Sequence, residues 1–209
     1  MINMNYEING FFPTPVYSTW RESNLTPKEE EEIRKLLHEP EATTGNSSSL
    51  NKYVLNMGEL KTIKQFCEEH IKIYVKEVIK PKDKIDCYIT QSWLNITKPG
   101  EYHHVHHHPN SIVSGVFYIA TVEEDSITFY NPNVFIKGIR ILAVEYTEWN
   151  SLSWSFPVNN NKLILFPSWF EHEVKVNEKA TTDRISLSFN TFVRGTLGDH
   201  GEATELILK

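Results

Sequence analysis

The chain has 209 residues, 40% hydrophobic and 12% aromatic, with 21 Lys and Arg against 27 Asp and Glu for a formal net charge of -6. That length can bury a core within one domain, residues 1–209, without disulfide or metal staples. Net acidity without any run of Lys or Arg argues against a broad footprint for duplex nucleic acid, leaving room only for a small local basic groove. No stretch reaches the roughly eighteen apolar residues of a membrane span, and the N-terminus lacks a basic segment followed by an apolar one, so a soluble, cytoplasmic chain is expected. Cys67 and Cys87 are far apart and outside any CxxC pattern, and read as thiols of a reducing compartment in preference to a disulfide.

Residues 11–20, FFPTPVYSTW, alternate bulky apolar groups with Pro and polar residues and suit an edge strand. Thr26, Pro27 and Glu29 stand where an N-cap, a first-turn proline and an N3 carboxylate belong, and predict a helix to about Glu39. Its acidic first turn complements the helix dipole. Residues 40–52, PEATTGNSSSLNK, lack periodicity and read as a loop, either a plain connection or a flap over a site. From 59 to 80, Leu60, Ile63, Cys67, Ile71, Tyr74 and Val78 recur at three- and four-residue intervals, which predicts a long amphipathic helix packed on a sheet. His70, beside that stripe, reads as a packing residue.

After Pro81 the pattern changes to short β-like runs, with strands predicted at 85–97, 111–120, 126–130, 139–146, 163–166, 171–176 and 184–193. Strands that follow helices confined to the first 80 residues predict a mainly β (α+β) chain. Its core, residues 85–193, is a double-sheet sandwich or jelly roll, with the N-terminal strand and helices of residues 1–80 packed on one sheet.

Residues 101–118 read EYHHVHHHPNSIVSGVFY and hold five of the nine histidines. On an extended segment His104, His106 and His108 share one face, so His106 and His108 can grip one ion, whereas His103 and His107 point the other way. A solvated histidine tract is the alternative. The apolar run that leads into Pro167 turns back towards His172, which is placed to supply a third ligand from a later strand. Beyond it, RISLSFN puts Arg184, Ser186, Ser188 and Asn190 on one face of a half-buried strand. An inward Arg with a Ser two residues on fits a carboxylate; a surface ion pair is the other reading of Arg184.

Taken in order, HHxHHHPNSxxSGVFY, LFPSWFEH and RxSxSFN resemble a family of 2-oxoglutarate- and iron(II)-dependent oxygenases found in phages and marine bacteria, more distantly related to prolyl hydroxylases. The resemblance extends over about residues 93–193, and the opening FFPTPVY is similar as well. It implies a double-stranded β-helix, Fe(II) held by His106, His108 and His172, and 2-oxoglutarate anchored by Arg184 with Ser186 beside it. Tyr118, Asn190 and Asn95 are implied as further cosubstrate contacts. The implied activity is that of a dioxygenase whose partners are 2-oxoglutarate and dioxygen. It would hydroxylate an unidentified small molecule or a peptidyl residue such as proline, in the host cytoplasm where a phage encodes the chain.

Most such oxygenases pair a His-x-Asp or His-x-Glu with a distal His, and here His108 occupies the carboxylate position. An all-imidazole site has one less negative charge, which bears on metal preference and redox potential, and the same pattern serves metal-binding cupins. Two other readings therefore stand: a cupin-like enzyme that does not use 2-oxoglutarate, and a non-catalytic metal-binding phage assembly module. Trp93, Trp154 and Trp169 read as packing residues, Ser114 and Gly115 lack a nucleophile elbow, and Asn110 reads as turning the chain. His200 reads as exposed. Trp149 and Phe135 are candidates for a homodimer face.

Overall fold

The protein is described by a computed structural model that covers residues 7–133, 138 and 142–209. Two helices precede the main β structure. Helix α1, Pro27–Leu36, starts at a complete capping box: Thr26 accepts from the Glu29 backbone, and Glu29 accepts from the Thr26 N–H at 2.7 Å. It ends three residues before Glu39. Helix α2, Lys61–Tyr74, follows two short 3-10 turns and runs on as a π-helical turn over Val75–Ile79, stopped by left-handed Lys80. No helix among the described residues is long and apolar enough to cross a membrane.

Glu29 does more than cap. It is 1% exposed, accepts a 2.9 Å bond from Arg21 Nη2, and also takes the Thr62 hydroxyl of α2, so it pins α1 to the rest of the chain. Burial pushes its carboxyl up, but hydrogen bonds from Thr26, Thr62 and Arg21 outweigh burial and hold it below the ordinary value of 4.5. A depressed carboxylate stabilises the fold above its unfolded value and loses that contribution as pH falls through the folded one. Glu29→Gln is expected to cost about 1–3 kcal/mol near neutrality. Its melting temperature should converge with that of the wild type as pH falls below 4.5.

The strands are β1 Tyr17–Trp20, β2 Glu41–Ala42, β3 Ser47–Ser48, β4 Ile85–Thr97, β5 His103–His106 and β6 Val113–Ala120. They continue as β7 Ser126–Tyr130, β8 Ser153–Pro157, β9 Lys162–Pro167, β10 His172–Val174, β11 Arg184–Leu197 and β12 Leu206–Leu208. Among the described residues the larger sheet runs β1-β9-β6-β11-β4-β3-β2, with β12 on β11, and the smaller runs β5-β10-β7-β8. All these strand pairs are antiparallel. The chain is mainly β, with the two-sheet jelly-roll arrangement expected from the sequence.

The larger sheet is covered on both faces, which explains why β9 reads as a continuous apolar run, KLILFP. Leu163 and Leu165 of β9, Val113 and Phe117 of β6, and Leu187 and Phe189 of β11 share one cluster with Ile63, Cys67, Ile71 and Tyr74 of α2. On the other face Ile164 and Phe166 of β9 and Val116 and Tyr118 of β6 join Ile127 and Phe129 of β7, between the sheets. Gly115 is required by this packing, since a Cβ there would lie 2.1 Å from the ring of its cross-strand neighbour Phe189. Cys67 is buried inside the cluster, and both cysteines are free thiols. His70 packs on Phe66 and shares a 2.6 Å hydrogen bond with Tyr17.

Residues 40–52 are more than a connection. β2 and β3 pair with each other, and β3 adds to the edge of β4 opposite Asn95 and Ile96. Two-residue strands are too short to carry a periodicity of their own; β3 is defined by its pairing with β4, and β2 by its pairing with β3. Gly45 at the tip has φ +96, and a Cβ there would stand 2.6 Å from the Tyr102 carbonyl. Of the strand predicted at 139–146, residues 139–141 lie outside the described residues, as does Phe135, and 142–146 are irregular. β5, β8 and β12 were not anticipated. β5 carries three imidazoles in four residues, while β8 pairs with β7 and β12 with β11.

Candidate active site

The site lies between the sheets, where β5 and β10 of the smaller sheet face β6, β11 and β4 of the larger one. His106 ends β5, His108 follows it in the turn, and His172 opens β10 directly opposite His106. One ring nitrogen from each of the three lies within 4.8 Å of the others, a grouping that can hold one metal ion. Their ring centroids are 4.3 Å apart for His106 and His172, 5.0 Å for His106 and His108, and 5.2 Å for His108 and His172.

Backbone carbonyls set two of the rings. His106 Nδ1 donates to the His104 carbonyl at 2.7 Å, and His172 Nδ1 donates to the Phe170 carbonyl at 2.9 Å. A carbonyl only accepts, so each Nδ1 carries the proton and each Nε2 keeps its lone pair for a ligand. The turn bearing His108 is fixed from behind. Its N–H donates to the Ser168 carbonyl at 2.8 Å, and Ser168 belongs to a hydrogen-bonded cluster with Ser111, Ser114 and Asn190. Asn110, in left-handed conformation with φ +56, completes the turn.

Burial and mutual repulsion keep these imidazoles neutral. Burial, reinforced by the neighbouring rings, pushes His108 down to about 3 and holds His172 well below its ordinary value; His106 is lowered for the same reasons. Three neutral imidazoles, two of them with Nε2 free because Nδ1 is committed to a carbonyl, suit a first-row divalent ion such as iron, zinc, copper or nickel. The residues present therefore fit a metal.

His103 departs from the alternation expected along β5. His172 pairs with His106 but Val174 with His103, so three steps on β5 match two on β10. That bulge reverses the parity and brings His103 to the cavity wall, stacked on His106 at 4.4 Å and 21°. Burial, with the nearby histidines and Arg184, pushes it down to about 3. His104 instead contacts the Thr44 carbonyl at 3.3 Å.

Across the cavity Arg184 is 5% exposed, and its Nε donates to both oxygens of Asp125 at 2.9 and 3.0 Å. Its Nη1 reaches the Ser186 hydroxyl at 3.4 Å, and its guanidinium lies 5.1 Å over the Tyr118 ring. The Tyr118 hydroxyl is buried and has no hydrogen-bond partner among the described residues. A buried hydroxyl left so is costly unless something else satisfies it, and it borders the histidine cavity. Burial pushes Asp125 up against the opposing charge and hydrogen bonds of Arg184.

Of the residues singled out from sequence, His106, His108, His172, Arg184, Ser186, Tyr118 and Asn95 all line this cavity. Asn95 donates to Ser188, another wall residue, at 3.0 Å. Asn190 does not line the cavity; it accepts from Ser114 at 2.9 Å in the cluster behind the His108 turn. Trp93, read as packing, lines the cavity with its ring 5.9 Å from that of His108. Asp125 was missed: it sits in an EED run between β6 and β7 that looks like any solvated turn. The open volume is about 30 Å³. That is room for an ion or a water, so a dicarboxylate requires side chains to move.

Residues 91–190 match the model of a family described as "Putative 2OG-Fe(II) oxygenase". This stretch contains the three histidines, Arg184 and Ser186. No curated protein matches the sequence. Among solved structures, the epimerase SnoN, in complex with Fe3+, alpha ketoglutarate and nogalamycin RO, is similar with TM-score 0.61 at 9% identity over 87% of this chain and 81% of its own. HygX from Streptomyces hygroscopicus, with nickel, 2-oxoglutarate and hygromycin B bound, gives 0.52 at 12% over 85% and 82%. An oxidoreductase of the 2OG-Fe(II) oxygenase family from Burkholderia pseudomallei gives 0.53 at 10% over 83% of each chain. At such identities the likeness establishes the shared fold.

Proposed function

We propose that the chain is an Fe(II)- and 2-oxoglutarate-dependent oxygenase. The observation that carries this reading is one cavity with three neutral imidazoles on one wall and, on the other, a buried arginine beside a tyrosine hydroxyl that has no hydrogen-bond partner among the described residues. The family match over residues 91–190 and the shared fold support it.

In this reading His106, His108 and His172 hold the metal. Bound Fe(II) supplies a centre at which 2-oxoglutarate and dioxygen react, so that 2-oxoglutarate leaves as succinate and CO2 and one oxygen atom passes to a second substrate. The carbonyl bonds to His106 and His172 keep their Nε2 atoms aimed at one point. Arg184 takes the distal carboxylate with its terminal nitrogens, Ser186 lies next to it, and the Tyr118 hydroxyl donates a further bond. Asn95 and Ser188 complete a polar wall, while Val116 and Ile127 exclude water. We assign hydroxylation of a small molecule or a peptidyl residue as the outcome, with peptidyl proline the first class to screen.

The test is oxygen uptake and succinate formation by the Fe(II)-loaded protein. Uptake that requires 2-oxoglutarate and yields one succinate per oxygen is the expected result. Uptake or turnover with an acidic substrate alone, indifferent to 2-oxoglutarate, would support a cupin-like enzyme instead, the second reading that the all-imidazole set favours.

A further inference from the structure

Arg184 stands between two spaces. It borders the histidine cavity, and it also borders an outer cleft of about 340 Å³ walled by Lys98, Lys175 and Lys179. Asp125 borders only the cleft. Its carboxylate therefore grips Arg184 from the side away from the histidines.

The manner of the grip matters as much as its direction. Both Asp125 oxygens converge on Nε, at 2.9 and 3.0 Å, and neither takes a bond from the terminal nitrogens. A guanidinium has five N–H groups, four of them on Nη1 and Nη2. Nη1 has a long contact with Ser186 at 3.4 Å and the Tyr118 hydroxyl lies close to the guanidinium, so most of the fork's N–H groups remain for a ligand. The guanidinium carbon lies over the Tyr118 ring, 5.1 Å from its centroid, which packs the ring against the head group. A carboxylate that competed with an anionic ligand would be expected across the fork; this one is behind it.

We propose that Asp125 is a positioning residue: it fixes the rotamer of Arg184 from the cleft side so that the terminal nitrogens of the guanidinium face a carboxylate ligand in the histidine cavity. The inference rests on the reading of Arg184 as the 2-oxoglutarate anchor. Without Asp125, a long flexible side chain has to be ordered by the ligand itself, and affinity falls by the cost of that ordering.

The experiment compares wild type with Asp125→Asn, binding 2-oxoglutarate and 2-oxobutyrate anaerobically to the Fe(II)-loaded protein by calorimetry. The two ligands share the 2-oxo acid end, and only 2-oxoglutarate carries the distal carboxylate. The expected result is that 2-oxoglutarate binding weakens about 10-fold or more, while 2-oxobutyrate binding and iron loading are unchanged, since only a charge-assisted contact is disturbed. A merely structural role would weaken both ligands together and overturn the proposal. Tighter 2-oxoglutarate binding in the variant would overturn it too, by making Asp125 a competitor. If Asp125→Asn does not fold, Asp125→Glu retains the charge but displaces the guanidinium, and the same loss of discrimination is expected of it; unchanged discrimination there counts against the proposal. If wild type does not discriminate between the ligands, the anchor reading itself fails and the inference with it.

Discussion

His172→Ala is expected to lower affinity for Fe(II), or for a stand-in such as Co(II), by at least about 100-fold, since even the outer partners of metal ligands are worth 10–100-fold. The argument is geometric. His172 is the ligand contributed by a separate strand, it is 4% exposed, and its Nδ1 is committed to the Phe170 carbonyl. Its removal leaves His106 and His108 on a single chain segment, with the later strand contributing no donor. His104→Ala is the control, because that ring faces Thr44 and is expected to leave affinity within about threefold of wild type. Titration calorimetry measures both. Equal affinity in wild type and His172→Ala would mean that the ion sits elsewhere along the histidine run.

The second large effect is at Arg184. Arg184→Ala is expected to weaken 2-oxoglutarate binding by about 10–100-fold, the equivalent of one or two charge-assisted hydrogen bonds. It should also destabilise the fold by about 3–5 kcal/mol, because Asp125 is left charged and buried without its partner. The two consequences separate with pH. Without Arg184 the carboxyl of Asp125 is held above its unfolded value by burial alone. Its penalty is then absent below the unfolded value and grows as pH rises towards the folded one. The melting temperature of Arg184→Ala should therefore approach that of wild type towards pH 4 and fall furthest behind near neutrality. A gap that does not change with pH would show that Asp125 is not the group left exposed to the loss.

Much of the site was legible because it lies on regular strands. Alternation along RISLSFN put Arg184, Ser186 and Ser188 on one face, and the structure turns that face into the cavity while Leu187 and Phe189 pack towards α2. The capping box of α1 was readable for a similar reason, since its partners are three residues apart. What escaped was set by irregularity or by distance. A bulge in β5 turned His103 inwards against simple alternation, and nothing local in the EED turn marks the last of its acids as the one that meets Arg184. Asn190 has the right parity but lies too far along β11 to reach the cavity, and Ser114 claims its side-chain oxygen. The β2–β3 hairpin was hidden because two-residue strands have no pattern apart from their pairing, β3 on β4 and β2 on β3.

The most direct test of the central claim is anaerobic addition of 2-oxoglutarate to the Fe(II)-loaded wild-type protein, followed in the visible spectrum. Chelation of the 2-oxo acid at the histidine site predicts a saturable metal-to-ligand charge-transfer band, abolished or greatly weakened in His172→Ala and shifted to higher ligand concentration in Arg184→Ala. Iron that loads at His106, His108 and His172 yet gives no band at saturating 2-oxoglutarate would contradict the account.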